Sequence, residues 1–390
     1  MEESHAISHI IFLIFFGTAV LSTAALFTRQ SMLVAYIVLG ACLGPWGLKL
    51  VSNSDIIKQA GDIGIVFLLF LLGLHLQPQN LFHSLRKMSM ITLSSSFIFF
   101  AMAFVTCLAF GYDLNQSIVI AIAAIFSSTI IGLKLLPTTI LHHQHTGELV
   151  ISILLLQDIL AIIAILIIQI IGDSSGTANN LWLIAIAFPI LLTLAYLFQK
   201  YVLTFLLSRF DKIHEYIFIL SIGWCLLMAE LSGYFGLSEE IGAFIAGVAL
   251  ASNPISFYIA ESLKPLRDFF LVLFFFSIGA SFNFGYFNQV FASACILALF
   301  TLLLKPMIFS YLLHRSGEVR SVSWEIGVRL GQMSEFSLLI IYLAQQTHLL
   351  PDADAAMAQA TIIFTFIASC YWTVMRYPTP LASTDKLRRD

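Results

Sequence analysis

Asp158 stands about ten residues into an apolar run, in Leu154-Leu-Leu-Gln157-Asp158-Ile159, and Lys305 is similarly central in a second run. Ionisable groups at such depth are expensive in hydrocarbon and by default mark an ion or proton path. At 1.5 Å per helical residue, ten residues put Asp158 about 15 Å from the end of its span. A carboxyl group there can hold a proton or a cation but not both at once, which is the chemistry of exchange. Gln157, just before it, offers a carbonyl oxygen to a partly dehydrated monovalent cation, an ion that prefers oxygen ligands. The bland alternative is that Asp158 and Lys305 form only a structural ion pair.

Two polar clusters interrupt other apolar runs. Phe126-Ser127-Ser128-Thr129 lies in one, and Gln332-Met333-Ser334-Glu335 lies about 206 residues later in another. Clusters at equivalent mid-span positions are what broken helices look like in carriers built from repeats. The freed backbone groups can be met by hydroxyls and by each other, and the half-helix ends then shape the field around Asp158. The alternative is that Ser and Thr bond back to the preceding turn of an intact helix. Glu335 and Arg329 are six residues apart, so on different faces if that helix is continuous; Glu335 is the better candidate to line an ion path.

The elements that must position these groups follow from composition. Hydrophobic residues are 59% of the 390 and charged residues only 11%, far below the ~25% that a water-facing surface needs. The chain reads as an all-α polytopic membrane protein, with lipid against most of its surface. At roughly 20 apolar residues per crossing, punctuation gives about thirteen spans. They lie near 7–27, 31–48, 56–76, 88–110, 115–136, 148–171, 180–199, 215–231, 237–252, 267–283, 289–314, 320–343 and 355–376.

Charge supports that count, because cytoplasmic loops collect Lys and Arg. With the N-terminus outside, the inner loops and the tail hold Arg29, Arg86, Lys87, Lys134, Lys200, Arg209, Lys212, Lys264, Arg267, Arg315, Arg320, Arg376, Lys386, Arg388 and Arg389, while the outer loops hold only Lys49 and Lys58. The acidic Glu2 and Glu3 and the lack of a cleavage site argue that the first run stays as a helix. Internal similarity has the same organisation. Tyr36 to Ala41 resembles Ala243 to Val248 at a shift of 207, and Leu72-Gly73-Leu74 matches Ile278-Gly279-Ala280 at nearly that shift. Six spans and one linker span, an odd number, precede the second copy, so it enters from the opposite side, an inverted repeat of six-helix units with two interrupted crossing helices.

Other polar residues earn a plainer reading. Asp62, Glu230, Glu239, Glu240 and Glu325 read as helix-end or mouth charges. His142, His143 and His145 cluster in an inner loop; histidine titrates near neutrality and could sense pH, but a solvated loop is the better reading. The five cysteines sit in apolar runs without a CxxC pair, so neither a disulfide framework nor a metal site is indicated. No cofactor motif is present, and the near-balanced charge gives no reason to invoke nucleic acid.

Together these stretches resemble the Kef-type potassium/proton antiporters of the monovalent cation:proton antiporter-2 family. The matching segments are Gly40-Ala-Cys-Leu-Gly44-Pro-Trp-Gly-Leu48, Leu156-Gln157-Asp158-Ile159, Gly242-Ala-Phe-Ile-Ala-Gly247, Phe274 to Gly279 and Gln332-Met-Ser-Glu335-Phe336. The resemblance covers residues 1–380 and implies a sodium/proton-antiporter-like fold. It also implies a homodimer in which a core bundle moves against a dimerisation bundle, and Asp158 as the shared proton and cation site. Gln157 before the aspartate is similar to the potassium-handling members, and Lys305 occupies the place of the family's embedded lysine. Two departures stand out. Residues 381–390 read as a short cytoplasmic tail with no GxGxxG nucleotide-binding domain behind it, and Gln332-Met333-Ser334 is poorer in glycine than the family pattern.

The resemblance implies exchange of K+ or Na+ for H+ at a bacterial inner membrane, with K+ favoured. A channel would need a repeated filter such as TVGYG; an intramembrane protease would need paired catalytic carboxylates or HExxH. None of these motifs occurs in the chain.

Overall fold

The computed structural model describes residues 2–51, 54–75, 78–136, 145–173, 179–210, 212–251, 253 and 255–379. Those residues are almost wholly helical. The order is α1 Glu2–Phe27, α2 Met32–Leu43, α3 Ser54–His75, α4 Pro78–Ala109, α5 Leu114–Ala124, α6 Thr129–Lys134 and α7 His145–Asp173. Then come α8 Asn179–Phe198, α9 Thr204–Arg209, α10 His214–Tyr234, α11 Glu239–Ala251, α12 Ser256–Ser262 and α13 Lys264–Ser281. The chain closes with α14 Phe287–Arg315, α15 Arg320–Arg329, α16 Glu335–Gln346 and α17 Asp352–Arg376. Eight helices among the described residues are long and apolar enough to cross a membrane, and the protein is a multi-pass membrane protein.

Several boundaries differ from the apolar runs. The run at 31–48 yields α2 of only 12 residues, because the chain turns after Leu43 and folds back, with Leu48 N–H on Cys42 O and Lys49 at a φ of 58°. The linker run at 180–199 instead continues past Phe198 through one π-helical turn, Gln199–Leu203, into α9. Most important, the runs at 115–136 and 320–343 are each two short helices. Residues 125–128 separate α5 from α6, and residues 330–334 separate α15 from α16. Arg329 therefore ends one helix and Glu335 begins the next, so they are not two faces of one helix as a continuous span would have it. The tail at 381–390 and His142 and His143 lie outside the described residues.

The helices pack as two groups. In one, α2 crosses α13, α3 packs on both α13 and α11, and α10 lies against α11. In the other, α14 packs on α15, α17 and α4, while α16 contacts α5, α7 and α17. The first group owes its closeness to missing side chains. A Cβ on Gly40 would sit 2.0 Å from Phe276 O, and one on Gly279 would sit 2.0 Å from Ile37 O. At the α3–α11 crossing, a Cβ on Gly73 would lie 2.5 Å from Phe244 O and one on Gly247 2.1 Å from Phe70 O. Backbones meet at both places because only glycine leaves room, the small-residue packing favoured where lipid offers helices no hydrophobic drive to associate. The sequence repeat pairs Gly40 with Gly247 and Gly73 with Gly279. Exchange of the two repeats therefore turns one crossing into the other.

Candidate cation and proton site

The two breaks meet at the centre of the second helix group. Ser127 Oγ donates to Leu330 O at 2.8 Å, joining the first break to the second. Ser337 Oγ, on the first turn of α16, donates to Ala123 O at the end of α5. Each new half-helix is capped locally. Ser128 Oγ accepts the N–H of Ile131, and Ser334 Oγ accepts that of Phe336 while Ser337 Oγ accepts the N–H of Ser334. Short hydroxyl side chains here do what water does at a soluble helix end. Polar residues in otherwise apolar runs thus mark the breaks rather than decorating an intact helix.

Lys305, fully buried on α14 just before Pro306, bridges the breaks. Its Nζ donates to Phe126 O at 2.8 Å and to Gln332 O at 3.3 Å, and it lies 5.0 Å from the centroid of the Phe99 ring. No ion pair joins Lys305 to Asp158 among the described residues. The structural-pair alternative is overturned because two carbonyls freed by the broken helices take the Lys305 amino group instead. Gln157, also fully buried, grips the same segment from α7. Its Oε1 accepts the N–H of Ser127 at 3.1 Å, and its Nε2 donates to Ile125 O at 3.3 Å. The side chain expected to offer its oxygen to an ion therefore holds the first break open.

Asp158 accepts from Thr129 Oγ1 at 3.0 and 3.3 Å to its two carboxyl oxygens. Thr129 is the first residue of α6, so the carboxylate faces the N-terminal end of a half-helix, where backbone dipoles favour negative charge. Of the three polar residues grouped there in sequence, only Thr129 reaches Asp158; Ser127 and Ser128 are used on the backbone. Asp158 and Glu335 both border a cavity of about 420 Å3 that also takes in Thr129, Leu71, Leu154, Phe274 and, at its rim, Arg267. The walls come from both helix groups, α3 and α13 on one side and α6, α7 and α16 on the other. All the lining residues of α3 lie in its C-terminal half and those of α7 at or before Asp158, so the cavity reaches Asp158 from one side of the bundle.

The remaining residues singled out in the sequence sit apart. Arg329 pairs with Glu325 at 2.8 Å and donates to Leu135 O at 2.9 Å and Pro378 O at 3.0 Å. Glu325 is thereby the partner of a buried guanidinium and not a simple helix-end charge. Gln332 accepts from Ser369 Oγ at 2.8 Å, and Met333 N–H donates to Thr365 Oγ1 at 3.2 Å. His145 meets Glu318 at 3.0 Å and Glu148 at 3.6 Å at the exposed end of α7. Sequence reasoning missed Thr365 and Ser369. The repeat shift carries Asp158 to Thr365, which was the available signal.

The transmembrane sodium/hydrogen exchanger family model matches residues 11–375. The glutathione-regulated potassium-efflux system protein KefC of Escherichia coli (strain K12) is 28% identical over 387 residues, 96% of this chain and 62% of that protein. K(+) efflux antiporter 5 of Arabidopsis thaliana is 26% identical over 339 residues, 82% of this chain and 58% of that protein. The chain thus spans less than two thirds of the length of these relatives. The structure of the sodium proton antiporter MjNhaP1 from Methanocaldococcus jannaschii superposes with a TM-score of 0.69 at 16% identity, covering 95% of this chain and 97% of that one. The fold is that of the sodium/proton antiporters.

Proposed function

The chain belongs to the transmembrane sodium/hydrogen exchanger family, and on that premise we propose that it is a secondary transporter exchanging a monovalent cation for protons at Asp158. The observation that carries the reading is a carboxylate at mid-span on the wall of a cavity between two helix groups, accepting from the hydroxyl of Thr129. An exchanger needs a group that is neutral with a proton and anionic with a cation, reachable from one side at a time. The cavity supplies one-sided access. The backbone framework of Gln157, Lys305, Ser127 and Ser334 keeps the broken helices, and with them Thr129, fixed around the carboxylate. Glu335 adds a second carboxyl to the same cavity, and Arg329 ties α15 to Leu135 just after α6 and to Pro378 just after α17.

Cycling follows from the two groups. The group carrying α4–α7 and α14–α17 moves as a core against the group carrying α1–α3 and α8–α13, and the latter pairs with a second copy as a homodimer. Arg267 at the cavity rim belongs to the Lys- and Arg-rich ends, so the positive-inside rule makes this an inward-facing state with the N-terminus outside. A bacterial inner membrane is the setting. Relatives named for potassium efflux favour K+ over Na+ as the substrate. A gated channel is the second reading; the apolar packing of Leu69, Ile162, Ile165 and Phe244 beyond Asp158, around a void of only about 10 Å3, weighs against it.

The test is proton movement in proteoliposomes carrying a pH dye, with K+, Na+ and an impermeant cation added in turn. Cation-coupled proton movement, larger with K+, is expected. Cation flux with no proton movement would favour the channel instead.

A further inference from the structure

We propose that the bonds Tyr342–Asp62 and Gln169–Glu240 form the closure on the side opposite the cavity, the contact that must open before Asp158 can face that side. This rests on the exchange reading above. Tyr342 Oη donates to Asp62 Oδ1 at 2.8 Å, and Gln169 Nε2 donates to Glu240 Oε2 at 3.3 Å. Each bond joins a core helix to the other group: α16 to α3, and α7 to α11.

Position along the helices sets these bonds apart from the cavity. Gln169 lies eleven residues beyond Asp158 on α7, about 16 Å along a helix. Asp62 belongs to the N-terminal half of α3, whereas the cavity takes residues from its C-terminal half. Between the bonds and Asp158 the two groups are packed dry. Leu69, Ile162, Ile165 and Phe244 surround a void of only about 10 Å3 beside Gln169 and Glu240, at or below the room one water needs. One face is open to Asp158 and the other is sealed by apolar side chains capped by two carboxylate bonds.

The chemistry suits a reversible closure. A hydrogen bond to a carboxylate is stronger than a neutral one, yet Asp62, two turns into α3, and Glu240, in the first turn of α11, are both partly exposed, so water can replace the lost donor once the groups part. Both donors sit on the core and both acceptors on the other group. A shift of the core therefore breaks the two bonds together, giving a closure with two discrete arrangements rather than a gradual one. The bond to Asp62 explains why a tyrosine hydroxyl is placed among the apolar residues of α16, and the second explains a glutamine near the end of α7.

The experiment joins the two groups covalently. Gln169→Cys with Glu240→Cys, in a chain whose native cysteines are replaced by serine, is reconstituted and treated with a short reducible bis-thiol reagent. Cation-driven proton movement is followed before linking, after linking and after reduction. The proposal expects transport to stop on linking and return on reduction, while cation applied from the cavity side still protects Asp158 from carbodiimide labelling. Undiminished transport by the linked protein overturns it.

Tyr342→Phe serves as the second variant, keeping the ring and removing one donor. It is expected to shift the ratio of apparent cation affinities on the two sides by about tenfold, the weight of one charge-assisted hydrogen bond. An unchanged ratio with normal turnover would also overturn the proposal. If the unmodified protein moves no protons with any cation, the exchange reading fails instead, and the two failures are distinct.

Discussion

The Nζ of Lys305 donates to the main-chain oxygen of Phe126 at 2.8 Å, across 179 residues of sequence, and to Gln332 O on the other break. One buried amino group therefore serves a carbonyl on each interrupted helix. Lys305→Ala should lower stability in detergent by about 2 kcal/mol or more, because it leaves two buried carbonyls without a donor. Lys305→Gln should retain part of that loss, since an amide still donates. Thermal unfolding of the purified variants checks this order, and equal stability of all three forms would disprove the bridge.

Gln157 clamps Ser127 and Ile125 from α7. Gln157→Leu keeps the volume but leaves a buried N–H and a buried carbonyl unpaired, a loss of about 1–3 kcal/mol for each group. The first break should then loosen and Thr129 drift from Asp158. The expected result is a raised apparent KM for the cation with a folded, membrane-inserted protein. Steady-state transport against cation concentration measures it, and an unchanged KM would leave Gln157 without this role.

Gly40 and Gly279 meet backbone to backbone. A methyl group at either would lie 2.0 Å from a carbonyl oxygen, whereas one at Gly223 on α10 meets nothing within 4 Å. Gly40→Ala and Gly279→Ala should force α2 and α13 apart and abolish folded protein, and Gly223→Ala should be neutral or slightly stabilising. Monodispersity on size-exclusion chromatography separates these outcomes; three equally well-behaved variants would refute the close crossing.

Arg329 reaches Leu135 O, Pro378 O and Glu325 at once. Arg329→Met removes all three links and leaves carbonyls and a carboxylate unpaired, so a loss of about 3–5 kcal/mol is expected. Glu325 is partly exposed, at 21% of its side chain, and Glu325→Gln should be milder. The double variant should fall short of the sum of the single losses. Melting curves for the three proteins test this, with simple additivity as the contrary result.

Much of this arrangement was legible in the chain. Asp158 stood out because a carboxylate in an apolar run is expensive, and the breaks stood out because hydroxyl and amide residues recur at one spacing in both halves. What stayed hidden was partnership across helices. Nothing in the order of residues says that Lys305 turns to Phe126 instead of Asp158, or that Gln157 serves the backbone. Those choices depend on which carbonyls the broken helices leave free. The glycines show the same limit. Repetition pairs Gly40 with Gly247, but contact pairs Gly40 with Gly279, because each helix packs against a member of the other repeat. Tyr342 and Asp62 carried no motif, and their bond emerges only when α16 lies against α3.

The central claim is that proton and cation compete for one carboxyl group. Protonation removes the charge that holds the cation, so lowering the pH through the titration of Asp158 must weaken cation binding, and cation binding must expel a proton. The most direct measurement is proton release on adding K+ to purified protein in weak buffer, for wild type and Asp158→Asn. The account predicts proton release by the wild type, approaching about one per cation bound where Asp158 starts protonated, following linkage at a single shared group, and none by the variant. Equal release from both proteins would contradict it.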